Sequence, residues 1–163
     1  MFGVPYSLQQ HINLHLNAIG TNYWSYTFRF GNCLGDFRDI VGFPLDEEAK
    51  IRLADKNIDE LKRLLKDLPK GFKALVTSDS LFFLNRVETV ADRIYIVKKE
   101  LKHIDFCRTE ECDKEVWLKS FLDQHLIMNA RKVFLLKTGE MYKSGFPMLA
   151  AVLGDRQFVY HEF

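Results

Sequence analysis

Residues 44–80 read PLDEEAKIRLADKNIDELKRLLKDLPKGFKALVTSDS, and this stretch decides the fold class. Within it Ile51, Ala54, Ile58, Leu61, Leu65 and Leu68 recur at alternating spacings of three and four on a charged background, which lays an apolar stripe along a helix. Asp46 can cap the helix start, Glu47 and Glu48 suit the positive end of its dipole, and Pro69 with Gly71 stops it. Directly afterwards Phe72-Lys73-Ala74-Leu75-Val76-Thr77 reads as a short buried strand ending at Ser78-Asp79-Ser80, where a second helix is expected to start. An amphipathic helix feeding an apolar strand is half of the repeating unit of an α/β fold.

The same alternation extends outward from this stretch. Further strands are expected at Tyr23 to Phe30, Arg93 to Val97, Lys132 to Leu136 and Gln157 to His161, each β-rich and bounded by polar or turn residues. Helical stretches run from about Asp113 to Ala130 and from about Ser144 to Leu153. Strands and helices in this order imply right-handed crossovers and a doubly wound, Rossmann-like, mainly parallel sheet of about five strands. Residues 1–22 carry no assignable signal, and residues 23–163 read as one domain. Ligands of such sheets bind outside the carboxyl ends of the strands, so the loops to read are Gly31 to Asp39, Ser78 to Ser80, Lys98 to Asp105, and Lys137 to Ser144.

A chain of 163 residues with 47% hydrophobic and 28% charged residues is an ordinary globular domain, which excludes disordered and collagen-like classes. Lys and Arg number 23 against 22 Asp and Glu, so no global field draws the chain to nucleic acid or an anionic membrane, and any anion site must be local. Cys33, Cys107 and Cys112 are too few for a disulfide framework, and no second ligand pair makes a zinc site, so reduced thiols are expected. Met1 to Tyr6 has no basic region before an apolar stretch, and no apolar run approaches the ~20 residues of a membrane span. A soluble, cytoplasmic protein is expected.

Four loops or helix faces hold residues that could carry chemistry. Arg29, near the carboxyl end of an aromatic strand, could hold an anion through paired hydrogen bonds; it could equally be an edge-strand arginine stacked on Tyr or Phe and paired with Asp36 or Asp39. Ser78, Asp79 and Ser80 lie where a strand feeds a helix, a place for a phosphate or sugar, or for plain helix capping by Ser78 or Asp79. Asp123 has apolar neighbours and therefore needs a partner, either Lys119 one turn earlier or a ligand with adjacent N–H donors such as guanine. In the last loop Ser144 can cap the final helix and Pro147 fits its first turn, which would leave the Gly145 and Phe146 amides pointing outward as an anion cradle.

Other motifs are missing or weak. The chain has neither a Walker loop nor the dinucleotide Gly-x-Gly-x-x-Gly fingerprint, and Ser78 and Ser80 lack a hydrolase nucleophile elbow. His11 and His15 are four apart without a metalloprotease pattern and read as a solvated helix face; His103 lies in a candidate loop, where a structural histidine is the alternative.

Three segments in order resemble the donor-binding half of the GDP-fucose-type glycosyltransferases, the superfamily of α-1,2-, α-1,6- and O-fucosyltransferases, and look closest to its bacterial polysaccharide-cluster members. They are Phe28-Arg29-Phe30 to Gly35-Asp36-Phe37, Val76-Thr77-Ser78-Asp79-Ser80, and Leu122-Asp123-x-x-Leu126-x-x-x-Ala130 leading to Tyr142-Lys143-Ser144-Gly145-Phe146. The resemblance implies the C-terminal half of a GT-B fold and an inverting enzyme that transfers fucose from GDP-fucose to a glycan acceptor without a bound metal or other cofactor. It places Arg29 on the β-phosphate as the catalytic cation, makes Asp123 the guanine-reading carboxylate, sets Asp79 at an acidic turn near the donor, and gives Ser144 and Gly145 the phosphate-side hydroxyl and amide. The histidine usual in the family two residues before the arginine is Thr27 here, and the acidic residue that follows is displaced to Asp36. Such enzymes have an acceptor domain before the donor domain, so the resemblance also implies a missing acceptor half, and with it the general base: either the chain is the C-terminal part of a split or truncated gene, or a partner chain carries that half. The alternative is a non-catalytic nucleotide-binding or assembly module that keeps the fold.

Overall fold

The structure, a computed structural model, describes residues 6–37, 39, 42–99 and 114–163, with 114–117 described by backbone alone. His103, Cys107 and Cys112 lie outside the described residues. In chain order the elements are α1 (Tyr6–Ile19), β1 (Tyr23–Phe28), α2 (Glu47–Lys66), β2 (Lys73–Ser78), α3 (Leu81–Val87), β3 (Ile94–Tyr95), α4 (Lys114–Asn129), β4 (Lys132–Lys137), α5 (Phe146–Leu153) and β5 (Gln157–Glu162).

α2 forms where its periodicity and capping place it. The Asp46 side chain accepts the Ala49 amide at 2.7 Å, and Ala54, Ile58, Leu61 and Leu65 are buried. Ile51, counted on the stripe, is 43% exposed, and the helix ends at Lys66, short of the buried Leu68. β3 is shorter than its β-rich sequence implies. As an edge strand it pairs only Ile94 with Ala74 and Tyr95 with Leu75. The unassigned stretch 1–22 contributes α1, whose Leu8, Ile12 and Ile19 are buried in the same cluster as Tyr23 and Leu126.

The five strands form one sheet in the order β3-β2-β1-β4-β5, and every pairing is parallel. The expected mainly parallel, doubly wound sheet is therefore wholly parallel. α2 and α3 cover one face, where they pack on Tyr26, Phe28, Val76, Phe134 and Leu136. α1, α4 and α5 cover the other, over Tyr23, Leu75 and Val133. β1 is central: Phe28 is level with Ser78 of β2 on one side and with Leu136 of β4 on the other. From β1 the chain winds outward through β2 to β3, then returns to the other side of β1 for β4 and β5, so the winding reverses at β1. No helix among the described residues is long and apolar enough to cross a membrane.

α4 and α5 meet closely at their carboxyl ends. A Cβ at Gly154 would lie 2.2 Å from the Met128 carbonyl oxygen and 2.9 Å from its carbonyl carbon. Backbone cannot rotate out of the way as a side chain can, so Gly154→Ala is expected to lower unfolding free energy by about 1–3 kcal/mol. Gly145→Ala, with nothing within 4 Å of its added carbon, should stay within about 0.5 kcal/mol of the parent. Urea midpoints of the two variants check the contrast.

Candidate functional site

At the point where the winding reverses, the carboxyl ends of β1 and β2, the middle of α4 and the β4–α5 loop enclose a cavity of about 290 Å³, at the small end of the range for ligand pockets. Arg29, Ser78, Asp79, Asp123 and Ser144 line it, together with Thr27, Thr77, Ser120, Tyr142 and Phe146. Five of the candidate residues thus converge from four separate segments. Asp36, Ser80 and Gly145 are not among the lining residues.

Arg29 follows the last residue of β1. It therefore leaves the centre of the sheet, and the edge-strand alternative does not hold. Its Nη2 donates to Asp39 Oδ2 at 2.9 Å, its Nε lies 3.3 Å from Asp79 Oδ2, and its guanidinium sits 4.3 Å from the centre of the Phe37 ring. The aromatic stacking and the Asp39 pairing foreseen for a structural arginine are both present. Asn32 holds Asp39 in place: its side chain accepts the Asp39 amide and donates to the Asp39 carbonyl, both at 2.8 Å. A guanidinium has five N–H donors, so these two carboxylates leave donors for an anion, and the arginine side chain is 20% exposed.

Asp79, directly after β2, reaches across to the exit of β1. Its Oδ1 accepts the Phe30 amide at 2.9 Å and its Oδ2 the Gly31 amide at 2.8 Å. Gly31 takes the left-handed backbone (φ 59°) that lets both amides face one carboxylate. Behind it the hydroxyls of Thr27 and Thr77 share a hydrogen bond of 2.8 Å.

Asp123 and Ser120 lie one turn apart on α4 and both face the cavity. Asp123 Oδ2 accepts from the ammonium of Lys119, whose side chain is 1% exposed, while Asp123 Oδ1 is buried with no hydrogen-bond partner. The structural alternative for Asp123, an i,i+4 pair with Lys119, is therefore realised, and one carboxylate oxygen is left over.

The remaining candidates have other engagements. Asp36 Oδ2 accepts the Phe82 amide at 2.7 Å and the Ser80 hydroxyl at 3.0 Å, and Ser80 Oγ accepts the Phe83 amide at 3.1 Å, so both residues cap α3. Capping of α3 therefore falls to Ser80 and not to Ser78 or Asp79, the two residues expected to supply it. The expected cradle of outward-facing amides is corrected: Ser144 Oγ accepts the Phe146 amide at 3.2 Å, so that N–H is not free. The solvated-face reading of His15 is also corrected. Its Nδ1 lies 2.7 Å from Tyr95 Oη, and burial, with nearby His11, Lys119 and Lys99, lowers its pKa. Ser120 escaped sequence reasoning, since a lone helical serine is marked only by its spacing of three from Asp123. Among the described residues no three His, Cys, Asp or Glu side chains gather as a metal site.

The site offers one guanidinium and several hydroxyls, an arrangement suited to an anionic, hydroxyl-bearing ligand, and a partnerless carboxylate oxygen of Asp123 is buried in its wall. Burial raises the Asp79 pKa, opposed by Arg29 and the Phe30 and Gly31 amides; burial also raises that of Asp123, opposed by Lys119. Because the folded value of Asp79 lies above its ordinary 3.8, the stability that its proton contributes is complete below pH 3.8 and is lost as pH rises through the folded value. Asp79→Asn should flatten the fall of stability over that window, while losing about 1–3 kcal/mol at acid pH because its NH2 group, a donor, replaces one of the two oxygens that accept the Phe30 and Gly31 amides. Urea midpoints measured from about pH 4 to about pH 8 read both effects.

No protein-family model and no curated protein matches the chain. Among solved structures, the fold is similar to that in the crystal structure of NodZ α-1,6-fucosyltransferase soaked with GDP-fucose, with a TM-score of 0.62 and 17% sequence identity. The similarity covers 93% of this chain and 43% of that one, so this chain spans less than half the length of the fucosyltransferase. The chain is an α/β domain whose all-parallel, Rossmann-like fold resembles part of that enzyme.

Proposed function

We propose that this chain is the donor-binding domain of an inverting glycosyltransferase that takes a GDP-sugar, with fucose the sugar transferred to a glycan acceptor. The observation that carries the reading is the convergence of Arg29, Asp123 and Ser144 on one cavity where the sheet's winding reverses. In this reading Asp123 accepts an N–H of guanine, Ser144 and Ser78 hydrogen-bond the diphosphate or ribose, and Arg29 holds the β-phosphate. The nucleotide sugar enters as substrate, and the reading assigns no resident metal or cofactor.

The chemistry follows from where charge develops. The acceptor hydroxyl oxygen bonds to the anomeric carbon as the bond from that carbon to the β-phosphate oxygen breaks. The electron pair departs with GDP, and the hydroxyl proton passes to a base. Negative charge grows on the β-phosphate, and a guanidinium already held by Asp39 and Asp79 interacts more strongly with that transition state than with the bound donor. We assign the base to an acceptor-binding half, carried by further sequence or by a partner chain, a reading supported by the 43% coverage of the fucosyltransferase. A cytoplasmic role in polysaccharide synthesis belongs to the same proposal.

A second reading, a non-catalytic nucleotide-binding or assembly module, is favoured by one feature: Arg29 and Asp123 already carry ion-pair partners. Turnover of GDP-fucose to a glycosylated product by the chain would eliminate it.

Titration calorimetry with GDP, UDP and ADP tests the donor site. GDP is expected to bind tightest, and Arg29→Ala to weaken it by roughly tenfold to a hundredfold, the worth of a charge-assisted contact. Absence of GDP binding by the folded protein, or undiminished binding by Arg29→Ala, would overturn the proposal.

A further inference from the structure

A nucleotide sugar offers its protein a base, a diphosphate and the sugar that is transferred, and the residues assigned above serve the base, ribose and phosphates. For the remaining part, we infer that the side chain of Tyr142 is the surface on which the transferred sugar packs. The inference rests on the reading of the cavity as a GDP-sugar site with the β-phosphate on Arg29.

Tyr142 lines the cavity and is 48% exposed, so aromatic surface is left uncovered at its edge. Its backbone N–H donates to the Arg29 carbonyl at 2.9 Å, which sets Tyr142 directly beside the residue that takes the β-phosphate. The sugar is bonded to that phosphate, whereas the base is separated from it by the α-phosphate and the ribose. An aromatic residue next to Arg29 therefore meets the sugar end of the donor. The loop that carries it is fixed on both sides. Met141, 2% exposed, donates its amide to the Thr138 carbonyl at 3.2 Å, and Ser144 Oγ accepts the Phe146 amide. A side chain on a loop already ordered costs less to engage than one on a loop that a ligand must first order. A 6-deoxyhexose has ring C–H groups and a methyl group with which to cover the electron-rich face of such a ring, and hydroxyls that stay in water. Partial exposure suits the position, because the anomeric carbon must remain within reach of the acceptor hydroxyl.

GDP and GDP-fucose differ by the sugar, and comparing the effect of one substitution on each cancels their difference in phosphate charge. In titration calorimetry Tyr142→Ala should weaken GDP-fucose by about threefold to tenfold, the worth of an aromatic packing contact. GDP should stay within about twofold of its affinity for the unaltered protein. Tyr142→Phe, which keeps the ring and removes the hydroxyl, should bind GDP-fucose as the unaltered protein does. Because Tyr142 is exposed, neither substitution disturbs the core. An equal loss for both ligands in Tyr142→Ala overturns the inference, since the residue then serves the nucleotide or the loop as a whole, and so does no loss for either. Tyr142→Phe behaving like Tyr142→Ala overturns it as well, because the hydroxyl and not the ring would then hold the sugar. Each of these results leaves the donor-site reading intact, whereas binding of neither ligand to the unaltered protein removes that reading and the inference with it.

Discussion

One buried carboxylate joins the exits of the two strands on which the site is built. The Asp79 side chain is 1% exposed, a location that disfavours a carboxylate unless donors surround it. The donors come from β1: the amides of Phe30 and Gly31, with the guanidinium of Arg29 alongside. The consequence is structural before it is chemical. β1 ends at Phe28, and the Phe30 and Gly31 amides that follow turn aside to Asp79 instead of to a neighbouring strand. Arg29 is thereby left at the mouth of the sheet, held on one side by Asp79 and on the other by Asp39, which the Asn32 amide locks into the following loop. An arginine restrained in this way loses little freedom when an anion arrives, which is the property expected of a preorganised cation.

What the sequence reveals of this arrangement depends on the range of each interaction. α2, β2, β4 and β5 are legible because their signals are local: a stripe at helical spacing, a cap at Asp46, and short β-rich runs between turn residues. α1 is not, since its buried Leu8, Ile12 and Ile19 are interleaved with Gln, His, Asn and an exposed Leu14. The positions of Arg29, Asp79 and Ser144 near one another follow from the α/β alternation, because a doubly wound sheet gathers the loops at its carboxyl edge, whereas Asp123 joins them from the middle of α4. Their partners do not follow. Asp36 meets Ser80 across 44 positions and Asp79 meets Phe30 across 49, and a contact of that range leaves no periodic trace. The Lys119–Asp123 pair stands between these cases: its spacing of one turn announces it, but only the packed structure reveals that one oxygen stays unpaired.

The position of Asp123 beside the cavity depends on how firmly α4 is held, because a helix free to rotate would carry the carboxylate with it. Its carboxyl half is tied down at several points. The Tyr23 hydroxyl, from the first residue of the central strand, donates to the Leu126 carbonyl at 2.6 Å, and burial raises its pKa, so it remains a donor at ordinary pH. Arg156 Nε donates to the Met128 carbonyl at 3.1 Å, and Gly154 closes on that same carbonyl with no room for a side chain. Leu122, Leu126 and Ile127 bury the intervening turns against the sheet. Asp123 therefore projects from a helix fastened just beyond it. The contacts that anchor α4 in the core thus also fix where the Lys119–Asp123 pair sits beside the cavity.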